Sequence, residues 1–294
     1  MVACSRGTGC TSVVSAAHFR VATTLRRLVF AIVLLVTSQR GVVGLSLDIH
    51  VPLRSITGLC AYNFAINANL LLRQVGGSDE YVDLFSLHVP HVTLFLTDFN
   101  VETIVQNGTS TYTIVNQTKL NELFGILQSV VTQHSQTFCR LGLSRSHILR
   151  GPYAMLSVLN RDCLQRLSND VVQATQPFVT PGQAIPDWVM SLPEPERMRK
   201  IKWIQEYGSP NVFSDFDPHI TVGYNTNVSL ASRRQQALQQ IVIPSDCSGH
   251  LQSLGVGKVG EKGGTVLESG ILFTTQFNVS SAVFDDTHYG ISNQ

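Results

Sequence analysis

The segments Pro90-His91-Val92-Thr93-Leu94 and Pro218-His219-Ile220-Thr221-Val222 are built alike: a proline, a histidine, a β-branched residue, a threonine and an aliphatic residue. Both carry β-branched residues, and both start with a proline, which is tolerated at the first residue of a strand. On a strand, residues two apart share a face, so each segment sets one imidazole beside one hydroxyl and sends Val92 or Ile220 to the other face, toward a core. None of the other seven histidines (His18, His50, His88, His134, His147, His250, His288) has Ser or Thr two residues on. One such motif alone reads as an ordinary buried strand histidine. Two in like contexts constrain the chain to bring two strands to one place.

The chemistry expected there is phosphate-ester cleavage. An attacking water must lose a proton and a leaving alkoxide must gain one. Imidazole, with an ordinary pKa near ~6.5, can do either at neutral pH. His91 and His219 are the candidate acid and base, in an order the sequence leaves open. Thr93 and Thr221 are candidate donors to the non-bridging oxygens, where charge builds in the transition state. No metal or other cofactor is expected. A His-x-x-His from His88 and His91, with Asp215 and Asp217 near His219, sketches a metal site. On a strand, however, His88 and His91 face opposite ways.

The hydrophobic pattern places these motifs in a mixed chain. Residues 59–67 read as a strand and 68–75 as a short helix stopped by Gly76-Gly77. Residues 87–96 form the first motif strand, and 101–116 a Thr-rich loop or hairpin. Residues 117–133 have a helical period with Thr118 as N-cap. Strands follow over 137–143 and 153–159, then a helix over 162–176. A Pro-rich connection over 177–195 leads to a helix over 194–207. The second motif strand spans 218–224. A helix over 229–241, capped by Ser229, precedes a hairpin of 251–259 and 265–273. This order predicts an α+β fold with two lobes related by a pseudo-twofold. Each lobe is an antiparallel sheet with helices on its outer face, and a central cleft lies between the sheets.

The duplicated His-x-Thr with apolar flanks resembles the signature of the two-histidine (2H) phosphoesterase superfamily, which includes cyclic phosphodiesterases and 2′-5′ RNA ligase-like proteins. The glycine-rich stretch 255–267 is similar to a late hairpin of that family, and Tyr62-Asn63-Phe64-Ala65-Ile66 to its opening strand. The resemblance covers residues 55–275. It implies hydrolysis of a cyclic or 2′-5′ phosphoester of a nucleotide or RNA end by His91 and His219. Lys258 and Tyr153 are possible substrate contacts beside their plainer readings as a surface lysine and a structural tyrosine. Tyr224, three residues past Thr221, falls on the opposite face by strand parity and is not a candidate.

Residues 1–44 read as a cleaved secretory signal peptide: Arg20, Arg26 and Arg27 precede an apolar run over 28–36, with a small-residue site near Val42-Val43-Gly44. The run is short of the ~20 residues that span a bilayer, so no stable membrane insertion is expected; an uncleaved anchor is the alternative. Residues 45–294 are then one domain, expected to be a monomer. Cys60, Cys139, Cys163 and Cys247 are disulfide candidates, with three possible pairings in an oxidising compartment. Asn107, Asn116, Asn227 and Asn278 head Asn-x-Ser/Thr sequons. The expectation is a secreted or lumenal glycoprotein. A net charge of +1, with only 14% charged residues, argues against duplex nucleic acid and for a small phosphoester or nucleotide end. Two other functions fit the sequence. One is a non-catalytic phosphate- or nucleotide-binding glycoprotein. The other is a metal-dependent phosphatase in which the paired motifs are coincidental.

Overall fold

The computed structural model describes residues 44–56, 59–107, 110–135, 139–159, 162–262 and 265–277. The leader (apart from Gly44) and the Asn278 sequon lie outside the described residues.

Two four-stranded antiparallel sheets organise these residues. The first uses the ends of the chain: β1 (Leu45–Pro52), β2 (His91–Phe99), β9 (Ser253–Val259) and β10 (Val266–Gln276), in the order β10-β9-β1-β2. The second uses the middle: β5 (Arg140–Arg150), β6 (Tyr153–Val158), β7 (His219–Tyr224) and β8 (Ser248–His250), in the order β7-β6-β5-β8. A hairpin of β3 (Glu102–Asn107) and β4 (Ser110–Val115) stands apart. Each motif strand is therefore the edge of its sheet, and β2 and β7 lie beside one another.

The helices are α1 (Cys60–Gly76), α2 (Gln117–His134), α3 (Asp162–Thr175), α4 (Asp187–Met190), α5 (Glu196–Tyr207) and α6 (Ala231–Gln239). Helix α1 packs on α6 and on β7 and β8; α3 packs on α2, β2 and β5. Of residues 59–67, expected as a strand, 60–67 belong to α1 and Leu59 is its N-cap. The alternation of Cys60, Tyr62, Phe64 and Ile66 imitates a strand. The face that is buried is Ala61, Ala65, Ala68, Asn69 and Leu72, at helical spacing. The opening strand is instead β1, where Leu47, Ile49 and Val51 alternate with Asp48 and His50. Two helix starts also differ from expectation. Asn116, rather than Thr118, caps α2 by accepting the Lys119 N–H at 3.1 Å. Asn227, rather than Ser229, caps the turn leading into α6, accepting the Ser229 N–H at 3.1 Å.

Disulfides Cys60–Cys247 and Cys139–Cys163 close loops of 187 and 24 residues. Gly208 ends α5 at φ 70°, and a Cβ there would come within 2.3 Å of Thr97 Oγ1. Only glycine combines that backbone with that close approach.

Candidate functional site: two histidine strands edge to edge

Both motif strands begin the same way. The prolines have no N–H, but their carbonyls continue the ladder: Pro90 O accepts Leu53 N–H at 2.9 Å and Pro218 O accepts Val158 N–H at 3.0 Å. In each histidine, Nδ1 lies 2.7 Å from the carbonyl two residues back, Val89 for His91 and Asp217 for His219. A carbonyl only accepts, so Nδ1 carries the hydrogen in both rings, and Nε2 is the nitrogen that titrates.

The strands are also distorted alike. Along β1–β2, His50 pairs with Thr93 and Ile49 with Phe95, so Leu94 has no partner. Along β6–β7, Met155 pairs with Thr221 and Ala154 with Gly223, so Val222 has no partner. Each bulge falls on the residue after the motif threonine. It leaves two consecutive residues buried, Leu94 with Phe95 and Val222 with Gly223. The unpaired carbonyls are satisfied from helices. Ser168 Oγ of α3 donates to Leu94 O at 2.9 Å, and Asn69 Nδ2 of α1 donates to Val222 O at 2.9 Å. Asn69 also donates to Val82 O at 2.8 Å and accepts Leu84 N–H at 3.0 Å.

The bulge at Val222 changes the parity beyond it. Tyr224, expected on the far face, shares the face of His219 and Thr221 and pairs with Tyr153. The two rings meet edge to face at 4.9 Å, and Tyr81 meets Tyr224 at 6.3 Å. Arg150 pairs with Tyr153 across the β5–β6 hairpin, and its guanidinium is 3.4 Å from the Asp217 carboxylate. Lys258 is not brought to this group. It pairs with Leu47, on the face of β1 opposite to Asp48 and His50.

The first motif sits on a buried polar layer that the sequence reading missed. Asp48 is fully buried. Its Oδ2 accepts the Thr93 hydroxyl at 2.7 Å and lies 3.3 Å from His91 Nε2. His50 is buried beside it, its ring 4.9 Å from that of His91 and its Nδ1 donating to Asp48 O at 3.1 Å. Gly255 makes room for His50: a Cβ there would come within 2.7 Å of Nε2. The signal that could have found this pair is the alternation of Asp48 and His50 with apolar neighbours in β1.

Electrostatics separate the two motif histidines. Burial depresses His91, but the charge and hydrogen bonding of Asp48 and the Val89 carbonyl outweigh it, and its pKa lies above the ordinary value. His219 is lowered, first by burial and then by the charges of Arg150 and His91, against the opposing pull of Asp217. The charge of His91 thus reaches His219. His50 is lowered to about 4 by burial and then by His91. His88 is lowered, mainly by burial, and its Nδ1 accepts Asp83 N–H at 3.0 Å.

Of the other expected residues, Asp215 is committed to Arg199 at 2.7 and 2.8 Å and to Trp203 at 2.9 Å. Among the described residues no three His, Cys, Asp or Glu side chains are grouped to hold a metal ion. Asn227 is exposed, while Asn116 also donates to Thr103 Oγ1 at 3.1 Å. Among the described residues no helix is long and apolar enough to cross a membrane.

No protein-family model matches the sequence, and no curated protein matches it. Solved structures do align. The Escherichia coli LigT crystal structure complexed with phosphate is 12% identical, covering 80% of this chain and 98% of that one, with a TM-score of 0.37. The same protein complexed with ATP aligns at 10% identity over 80% and 98% of the chains, with a TM-score of 0.35. A crystal structure described as a phosphoesterase aligns at 12% identity over 79% and 98%, with a TM-score of 0.35.

Proposed function

We propose that this chain is a phosphodiesterase that hydrolyses a cyclic or 2′-5′ phosphoester of a nucleotide or RNA end by acid–base catalysis between His91 and His219. The observation that carries the proposal is the matched pair of imidazoles on adjacent edge strands, each with Nδ1 fixed to its own strand. A neutral imidazole held this way presents a bare Nε2, and a protonated one presents an Nε2–H. One of each, on either side of phosphorus, serves in-line displacement. Thr221 donates to a non-bridging oxygen, with Arg150 as a nearby cation. Tyr153 and Tyr224 offer ring surface to a base or sugar. Two disulfides support an oxidising, secretory setting, in which the exposed Asn227 would carry glycan.

The test is turnover of 2′,3′-cyclic mononucleotides and 2′-5′ oligonucleotides, with and without EDTA. His91→Ala and His219→Ala are each expected to lose about 10²-fold or more, and chelation to change nothing. Near wild-type turnover in either variant contradicts the mechanism.

A second reading has its own observation. The Thr93 hydroxyl is given to Asp48 and His91 is buried, which suits a site that holds phosphate without turning it over. That reading expects thermal stabilisation by inorganic phosphate in a chain with no hydrolytic activity.

A further inference from the structure

The two halves of the site share a register but not a chemistry. Opposite His91, Thr93 and Leu96 on β2 lie Pro52, His50 and Asp48 of β1. Opposite His219, Thr221 and Tyr224 on β7 lie Ser157, Met155 and Tyr153 of β6. Asp48 and Tyr153 therefore occupy equivalent places, each facing the residue five beyond its histidine. One half holds a carboxylate where the other holds an aromatic ring.

A buried carboxylate is costly unless it is paired and hydrogen-bonded. Among the described residues Asp48 accepts the Thr93 hydroxyl at Oδ2. Among the described residues its only ion contacts are His91, at 3.3 Å, and His50, at 3.7 Å. His50 is unsuited to carry the charge. It has no exposure, its Nδ1 hydrogen goes to a backbone carbonyl, and its Nε2 has no hydrogen-bond partner against Gly255. His91 is thus the counter-ion. On the other side, the charges next to His219 are Asp217 and Arg150, which pair with each other.

Resting on the phosphodiesterase reading above, we infer that Asp48 is a positioning residue that makes the site directional. It holds His91 as the imidazolium acid on the leaving-group side and leaves His219 as the base for the attacking water. The step balances. Water oxygen bonds to phosphorus as the bond from phosphorus to the leaving oxygen breaks. The water proton goes to His219 Nε2, the His91 Nε2 proton goes to the leaving oxygen, and solvent restores both rings. The groups facing His91 are Asp48 and His50 from β1, His88 from the segment before β2, and His219 from β7. Those facing His219 are Asp217, Arg150 and His91.

Asp48→Asn keeps an acceptor for Thr93 and removes the charge. The first measurement is an NMR titration of the imidazoles in the wild-type chain. His91 is expected to titrate above His219, and in Asp48→Asn to fall by at least about one pH unit, with a smaller shift at the coupled His219. The second is the pH profile of kcat/KM on a 2′,3′-cyclic nucleotide. The basic limb, which reports the acid, is expected to move down with His91, and the acidic limb to move less. Activity on the alkaline side of the optimum then falls about tenfold, with little change on the acid side. A purely structural role lowers activity equally at both. Wild-type His91 titrating at or below His219, or an unmoved basic limb in Asp48→Asn, overturns the inference. A wild-type chain with no turnover overturns the phosphodiesterase reading and the acid's role with it. The titration then separately decides whether Asp48 holds His91 charged.

Discussion

Removing the Asn69 side chain tests whether the bulge beside the second motif is held from outside its sheet. In Asn69→Ala three buried hydrogen bonds vanish, at 2.8, 2.9 and 3.0 Å, to Val82 O and Val222 O and from Leu84 N. Val82 O keeps a long contact from Arg73 at 3.5 Å, so the groups left alone are Val222 O and Leu84 N. A buried hydrogen bond contributes about 1 kcal/mol net, and a stranded buried partner costs about 1–3 kcal/mol. One lost bond at Val82 O and two stranded groups at about 1–3 kcal/mol each sum to about 3–7 kcal/mol for Asn69→Ala. Ser168→Ala, which removes the single bond to Leu94 O, should cost about 1–3 kcal/mol. The assay is urea unfolding at pH 7. With a slope of about 3 kcal/mol per M for a chain of this size, the Asn69→Ala midpoint drops by about 1–2 M. Turnover by the folded fraction should drop as well, because a regularised β7 returns Tyr224 to the far face. A loss below about 1 kcal/mol for Asn69→Ala, or a larger loss for Ser168→Ala, would mean that Asn69 does not hold the bulge.

Two other perturbations give numbers of comparable size. By the chain-entropy relation, opening the 187-residue Cys60–Cys247 loop costs about 5 kcal/mol and opening the 24-residue Cys139–Cys163 loop about 3.5 kcal/mol. Unfolding of Cys60→Ala/Cys247→Ala and Cys139→Ala/Cys163→Ala should rank them in that order. His50, lowered from 6.5 to about 4, stays neutral in the folded chain while the unfolded chain takes up a proton. Its contribution is therefore complete above pH 6.5 and lost as pH falls toward 4, about 3 kcal/mol in all. His91, with its raised pKa, works in the opposite window: its stabilisation is complete below pH 6.5 and is lost as pH rises through the folded value. Urea unfolding from pH 7 to pH 4 should show His50→Gln flatter than the wild-type chain by about that 3 kcal/mol.

The motif strands were legible because proline, β-branched residues and apolar flanks are local signals, and β2 and β7 fall where those signals put them. Helices α2, α3 and α5 were legible for the same reason, through their apolar period. Helix α1 was misread because alternating aromatic and apolar residues on its half-buried side imitate a strand, while small alanines carry the buried face. The side of Tyr224 depends on Val222 lacking a partner in β6, a property of the pairing and not of β7 itself. The alliance of Asp48 with His91 and Thr93 requires β1 to lie beside β2, across the intervening helix α1. Both are non-local facts that a linear pattern does not contain. The same holds for Lys258, whose place is fixed by its pairing with Leu47.

In the proposed site two histidines, far apart in sequence, serve one phosphate. The most direct measurement is an NMR titration of the wild-type chain with a 3′-mononucleotide, following the imidazole signals assigned with His91→Ala and His219→Ala. The His91 and His219 signals should both move and fit a single dissociation constant. Movement of only one ring, or two unrelated constants, would contradict it.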